Sequence, residues 1–228
     1  MLLNLSKLVV LLVVILFSES FAKKEIKKVS CDYTEFNRKT NTSYFYGNVK
    51  IELENGYVLC DKAVYKRSDE ELLCESNVYC VIFSTKDNSK LEVRSSYLKY
   101  NVAQKIIVFD TNVNALYEQN SAARKENEFR IIKLWSQELI LNIAQEQMFA
   151  KKDVLVESEN NKIVCVTAKY FLKDKILEIN NEDIADNNML EITSGSAKFK
   201  FRTCTSKTAK IDISSEKIFL NGSVRIVF

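Results

Sequence analysis

The chain has 228 residues, with 33 Lys plus Arg against 30 Asp plus Glu and a formal net charge of +3, so it offers no basic footprint for nucleic acid. It has no histidine, which removes Ser-His-Asp and Cys-His catalysis and most zinc sites, and its four glycines, at 47, 56, 195 and 222, form no phosphate-cradling loop. The chain is therefore not expected to be an enzyme, and no catalytic residue, cofactor or metal is expected; the short acidic run Asp69-Glu70-Glu71 falls where a turn is expected.

The first 22 residues read as a signal peptide. After Lys7 comes the ten-residue apolar run Leu8 to Phe17, then Ser18-Glu19-Ser20-Phe21-Ala22, whose small residues at 20 and 22 suit cleavage after Ala22. Ten apolar residues fall short of the roughly 20 that a membrane-spanning helix needs. Removing this segment leaves 206 residues, 23–228, read as one elongated domain with the same +3 charge. Lys23-Lys24 and Lys27-Lys28 make a small basic cluster at its start, read as a solvated beginning.

The exported part reads as a succession of strands. Val49-Lys50-Ile51-Glu52-Leu53-Glu54 alternates apolar and charged residues before the turn dipeptide Asn55-Gly56. Further strands are predicted at 91–93, 105–110, 129–135, 139–143, 176–179, 190–193, 199–202, 210–213 and 224–228. Val164, Val166, Ala168, Tyr170 and Leu172 keep one phase, which places them on one wall of a strand. A helix over 134–150 is the rival, but β-branched residues favour strands. The polar stretches 117–128 and 180–188 read as loops. Short strands with turns between them predict an all-β fold.

A degenerate phrase with a small or polar start and an aromatic end recurs along this domain. It reads Cys31-Asp32-Tyr33-Thr34-Glu35-Phe36, Cys60-Asp61-Lys62-Ala63-Val64-Tyr65, Ser95-Ser96-Tyr97-Leu98-Lys99-Tyr100, Cys165-Val166-Thr167-Ala168-Lys169-Tyr170 and Ser194-Gly195-Ser196-Ala197-Lys198-Phe199, with a weaker copy from Trp135 to Ile140. Successive starts lie 29, 35, 40, 30 and 29 residues apart, a period that predicts stacked units burying apolar faces against their neighbours.

The stretch Val29-Ser30-Cys31-Asp32-Tyr33-Thr34-Glu35-Phe36-Asn37-Arg38-Lys39-Thr40, followed by Phe45-Tyr46-Gly47-Asn48-Val49-Lys50-Ile51, resembles the LptA/OstA family of periplasmic lipopolysaccharide-transport proteins. The likeness continues through Leu59 to Tyr65, and Leu220-Asn221-Gly222-Ser223-Val224 echoes the Gly-Asn-Val turn. From 65 to 228 the chain is compatible with the family pattern, departing from it in its six cysteines and its long third spacing. The resemblance implies an elongated antiparallel β-jellyroll or folded-over taco, built from repeated strand pairs and open at both ends, whose interior carries acyl chains across the periplasm. It also implies glycolipid or lipopolysaccharide as ligand and membrane-anchored transport components as partners.

On residue type alone, two apolar walls make either a packed core or a slot. The resemblance selects a slot lined by Val49, Ile51, Leu53, Ala63, Tyr65, Val164, Val166, Ala168, Tyr170 and Leu172, with Lys50, Lys62 or Lys169 meeting an anionic head group at the rim. The last strand, with Val224, Ile226 and Phe228, has only Arg225 to blunt its edge, so it is expected to pair by strand addition with a second copy, head to tail, or with inner- or outer-membrane partners. Six cysteines leave open pairing of Cys31 with Cys60, of Cys60 with Cys74, or free buried thiols. A secreted structural or adhesive β-solenoid and a small outer-membrane β-barrel are the alternatives.

Overall fold

Alternation with period two, interrupted at regular intervals, dictates what forms here. The computed structural model describes residues 26–84, 89–119, 130–158, 161–171, 173–174, 176–181, 190–194, 203–212 and 217–227. Its strands are β1 Ile26–Ser30, β2 Tyr33–Asn37, β3 Thr42–Leu53, β4 Gly56–Lys66, β5 Glu71–Ser84, β6 Ser89–Asn101, β7 Ile106–Gln119 and β8 Arg130–Asn142. There follow β9 Gln147–Ser158, β10 Asn161–Phe171, β11 Ile176–Asn180, β12 Leu190–Ser194, β13 Thr203–Ser206, β14 Thr208–Asp212, β15 Lys217–Asn221 and β16 Arg225–Val227. The fold is all-β, and no helix occurs among the described residues. The helix considered for 134–150 is the β8–β9 hairpin, turning at 143–146.

All sixteen strands belong to one antiparallel sheet whose main path runs β1-β3-β4-β5-β6-β7-β8-β9-β10-β11-β14-β15. The remaining short strands complete longer ones: β1 and β2 both pair with β3, β11 and β12 both pair with β10, and β13 and β16 continue β14 and β15. Each full strand is thus two half-strands joined at a middle point. The repeat of about thirty residues in the sequence is a hairpin of two such strands.

A line of β-bulges crosses the sheet at these middle points. The register shifts between Tyr46 and Val49 in β3, Glu75 and Val78 in β5, and Asp110 and Val113 in β7. The two residues inside each shift have positive φ: Ser76 (63°) and Asn77 (53°), Thr111 (64°) and Asn112 (56°), Lys152 (59°) and Asp153 (53°). The same pairing occurs at Gly47 (71°) and Asn48 (45°) and at Gly222 (71°) and Ser223 (24°). Among the described residues the intervening strands have no such pair, and a single residue such as Asp61 opposes the two of its neighbour. Bulged and plain strands alternate, and a bulge bends its strand, so the sheet creases along this line.

The plain strands carry the recurring phrase at the crease, which explains its small start. Ser95, Ser136 and Ser206 donate their hydroxyls to the carbonyls of Tyr97, Glu138 and Thr208 at 2.9, 3.0 and 3.0 Å, and the Cys31 thiol does the same to Tyr33 at 3.3 Å. These bonds serve carbonyls that the interrupted ladder frees. The next residue holds the bulge beside it: Asp61 accepts from Asn77 Nδ2 at 2.7 Å and Asp32 from Asn48 Nδ2 at 2.8 Å. The weak copy is therefore in register from Ser136 rather than Trp135. The last copy is at Ser206, not Ser194, which ends β12; residues 195–199 of the predicted phrase and the predicted strand 199–202 lie outside the described residues.

The crease also resets the side-chain phase, so both halves bury the same face. In β6, Leu91, Val93 and Ser95 point inward before it and Leu98 and Tyr100 after it, all at most 9% exposed. Residues from β3 through β14 form one hydrophobic cluster, with Ile51, Ala63, Val93, Phe109 and Tyr170 at 0% exposure. No other element among the described residues covers them, so the two leaves of the sheet cover each other. Tyr117, placed by its polar neighbours in a loop, is 1% exposed near the end of β7 and belongs to this core. The rest of that stretch, from 120, and 182–188 of the second polar stretch lie outside the described residues.

Close packing of backbone shows at Gly56, where Leu53 pairs with Gly56 and the turn between them is Glu54-Asn55. A Cβ on Gly56 would fall on the carbonyl oxygen of Val81 in the next strand. Gly56→Ala is expected to lower stability by about 1–3 kcal/mol, a typical overpacking cost, with the loss read from the midpoint of urea unfolding.

Candidate functional site

The apolar interior between the leaves is the candidate site, and the sheet edges flank it. Of the residues assigned to its wall, Val49 and Ile51 in β3, Ala63 in β4, and Ala168 and Tyr170 in β10 point inward at 1, 0, 0, 6 and 0% exposure. Leu53 and Tyr65 pack against this core from partly buried positions. Val164 does not join them: the register shift between Cys165 and Thr167 breaks the phase, so Ile163 and Cys165 point inward and Val164 lies on the outer face, 37% exposed. Val166 sits on the crease, its amide donating to Asn181 Oδ1 at 2.7 Å. Leu172 lies outside the described residues.

Sequence periodicity missed most of the interior, including Phe109, Val113, Leu134 and Leu139. The missing signal was the phase reset: counting inward positions from each small phrase start, then skipping to the third and fifth residues beyond it, recovers Leu98 and Tyr100, Leu139 and Leu141, and Ala209 and Ile211. At Tyr100 and Tyr170 the aromatic end of the phrase is thus an inward residue of the second leaf, whereas Phe36 on the edge strand is 52% exposed. The Tyr170 hydroxyl has no hydrogen-bond partner among the described residues, and burial pushes its pKa up.

The thiols are part of this lining. All six cysteines are free, and Cys60, Cys74, Cys80, Cys165 and Cys204 are buried. Cys31 and Cys60 are separated by β3, two strand spacings or roughly 9.6 Å, so adjacent repeats do not bring them together. Cys60 and Cys74 do meet at the crease: the hydrogen bond to Cys60, with burial, holds the Cys74 thiol well above its usual range. Burial alone pushes the Cys80 and Cys165 thiols up to about 12. These groups behave as small apolar residues.

The charged outer faces of the two leaves differ from the interior. Lys62 pairs with Glu75 and Lys151 with Glu138, both at 2.8 Å, and Lys50 pairs with Glu52 at 2.9 Å, while the Lys169 ammonium lies 4.6 Å from the Phe171 ring centre. Lys50 and Lys169, named for the rim, are therefore engaged along their own strands, and Lys62, also named, across to β5. Glu71, 11% exposed at its side chain, accepts from Lys99 and, at 3.4 Å, from Lys66. The Lys99 hydrogen bond holds the Glu71 carboxyl below its ordinary value. A depressed carboxylate stabilises the fold above its unfolded pKa of about 4.3, and that contribution disappears as pH falls through the folded value. Melting temperature measured from pH 6 to 3 is expected to fall less steeply in Glu71→Gln than in the parent.

At the ends of the sheet, the outer sides of β1/β2 and of β15/β16 have no strand partner among the described residues. Tyr33 and Phe36 on the first edge are 60% and 52% exposed, and Phe219, Val224 and Ile226 on the last are 55%, 46% and 42% exposed. Ile226 pairs with Cys204 on its inner side; Phe228 lies outside the described residues. The sheet therefore does not close into a ring.

A solved structure matches this chain. The crystal structure of LptH, the LptA-homologous periplasmic component of the lipopolysaccharide transport device from Pseudomonas aeruginosa, is 12% identical, with 73% of this chain and 92% of that one covered at a TM-score of 0.35. No family model and no curated protein matches the sequence.

Proposed function

We propose that this protein carries an amphiphile, a lipopolysaccharide or related glycolipid, through the periplasm, its acyl chains entering between the two leaves, which pack on each other and part to admit them. The observation that carries this reading is the apolar cluster that follows the crease across the sheet and reaches partly exposed apolar side chains, Val29 and Cys31 at one end and Ile218 and Leu220 at the other. Apolar burial contributes roughly 25 cal/mol per Å² without regard to direction, which suits a lining that must accept chains of varying length. The choice of glycolipid, and export behind a segment cleaved after Ala22, rest on the sequence resemblance over residues 29–65 and on the apolar run at 8–17.

Docking is by strand addition at the two edges. The last strand is of the bulged kind, through Gly222-Ser223, and the first is of the plain kind, through Cys31-Asp32. A second copy set head to tail continues both the antiparallel order and the alternation of plain and bulged strands. By the pairing of Val49 with Cys60, Val224 would lie opposite Cys31 of the next copy. Two last strands placed together would set bulge against bulge.

Native mass spectrometry of residues 23–228, purified without detergent from the source envelope, tests the reading. Adducts of glycolipid mass that disappear in Ala168→Glu, while Val164→Glu on the outer face keeps them, are expected. A folded protein with only its bare mass would overturn lipid carriage. A strictly monomeric protein at high concentration, unchanged by deleting 223–228, would overturn edge docking.

A further inference from the structure

The outer face of the first leaf carries a groove that neither the lipid interior nor the sheet edges account for. It is lined by Glu92 and Arg94 of β6, Asn114 and Leu116 of β7, and Lys133 and Trp135 of β8, and encloses about 280 Å³. All six lie on the solvent side of three adjacent strands, because their neighbours Val93, Ala115 and Leu134 point into the core. Register fixes the juxtaposition: Arg94 faces Asn114, Asn114 faces Trp135, and Leu116 faces Lys133.

The groove has donors in excess and one partly engaged acceptor. Arg94 lies 4.8 Å from the Tyr79 ring centre and its charge helps to hold the Glu92 carboxyl below its ordinary value, but among the described residues neither Arg94 nor Lys133 makes an ion pair within 4 Å. The Asn114 amide and the Trp135 indole N–H likewise have no hydrogen-bond partner there. Glu92, the one carboxylate, already accepts from the Tyr79 hydroxyl at 2.6 Å and pairs with Lys90. A complementary occupant is rich in acceptors, carries negative charge and offers an apolar face to Trp135. The volume is slightly below the roughly 300–1,000 Å³ of sites for larger small molecules, which fits one or two rings.

We propose that this groove binds an acidic saccharide, a sugar ring stacked on Trp135 with its carboxylate or phosphate held by Arg94 and Lys133. Asn114 and the indole N–H donate to ring hydroxyls, which need both donors and acceptors, and Glu92 accepts from one of them. The site is on the opposite side of the sheet from the interior and does not depend on lipid carriage.

Trp135 is the only tryptophan, so its emission reports the groove directly. Titrating the folded protein with glucuronic acid, glucosamine 6-phosphate, glucose, inorganic phosphate and AMP is expected to change the emission with the two acidic sugars, more weakly with glucose. Arg94→Gln and Lys133→Gln are each expected to weaken the response about tenfold or more, since each removes a charge-assisted contact, with melting temperature unchanged. Which acidic sugar binds more tightly distinguishes a carboxylate from a phosphate source. Calorimetry on Trp135→Phe, which keeps an aromatic ring, is expected to retain weakened binding. No response to either acidic sugar, an equal response to inorganic phosphate alone, or tighter binding of AMP would overturn the proposal.

Discussion

Truncating Phe109 to alanine is expected to lower the free energy of unfolding by about 3–5 kcal/mol. Phe109 is 0% exposed, in β7 at the middle of the sheet, and its neighbours across the ladder are Leu98 and Leu139, themselves 3% and 1% exposed. None of these side chains can move to fill the space without leaving its own contacts, so the cost includes the cavity as well as the lost transfer energy. Against the 5–15 kcal/mol of a typical domain, this is a large fraction of the total. Phe219→Ala, at an edge position that is 55% exposed, is expected to stay within about 0.5 kcal/mol. Urea unfolding of both variants decides it, and a Phe109→Ala loss below 1 kcal/mol would show that the leaves are not packed on each other.

The second large effect is at the crease. Replacing Ser76 and Asn77 together by valine is expected to cost about 2–5 kcal/mol, because φ values of 63° and 53° are costly for β-branched residues at about 1–3 kcal/mol each. The change also removes the Asn77 bond to Asp61. The double glycine variant separates the two causes: it keeps the backbone conformation and loses only the side-chain bond, so most of its stability is expected to remain in thermal unfolding. If the valine and glycine pairs melt together, the positive-φ pair is not what holds the bend.

The strands were legible because their alternation is local. Val49 to Leu53 and Leu91 to Val93 announce which face is apolar, and the repeated phrase marks every second strand. What periodicity concealed was the reset at the crease. Val164 and Tyr170 are an even number of residues apart and so read as one wall, yet a register shift lies between them and sends Val164 outward. Tyr117 was lost for another reason: one inward aromatic at the end of a strand has polar neighbours on its exposed side, and these dominated its local composition. The groove at Trp135 was illegible in principle, since it is assembled from three strands whose register only pairing supplies.

The alternation of plain and bulged strands limits how a sheet of this kind changes size. A plain strand seats against a bulged one because one residue there answers two, as Asp61 does between Lys62 and Cys60. Insertion of a lone strand would bring two of the same kind into contact and leave the bend without its counterpart. Growth or loss by a whole hairpin keeps every junction intact. The length of the sheet is therefore counted in twos, and a relative with a longer or shorter sheet is expected to differ by about thirty residues at a step, with the crease continuing straight through the join.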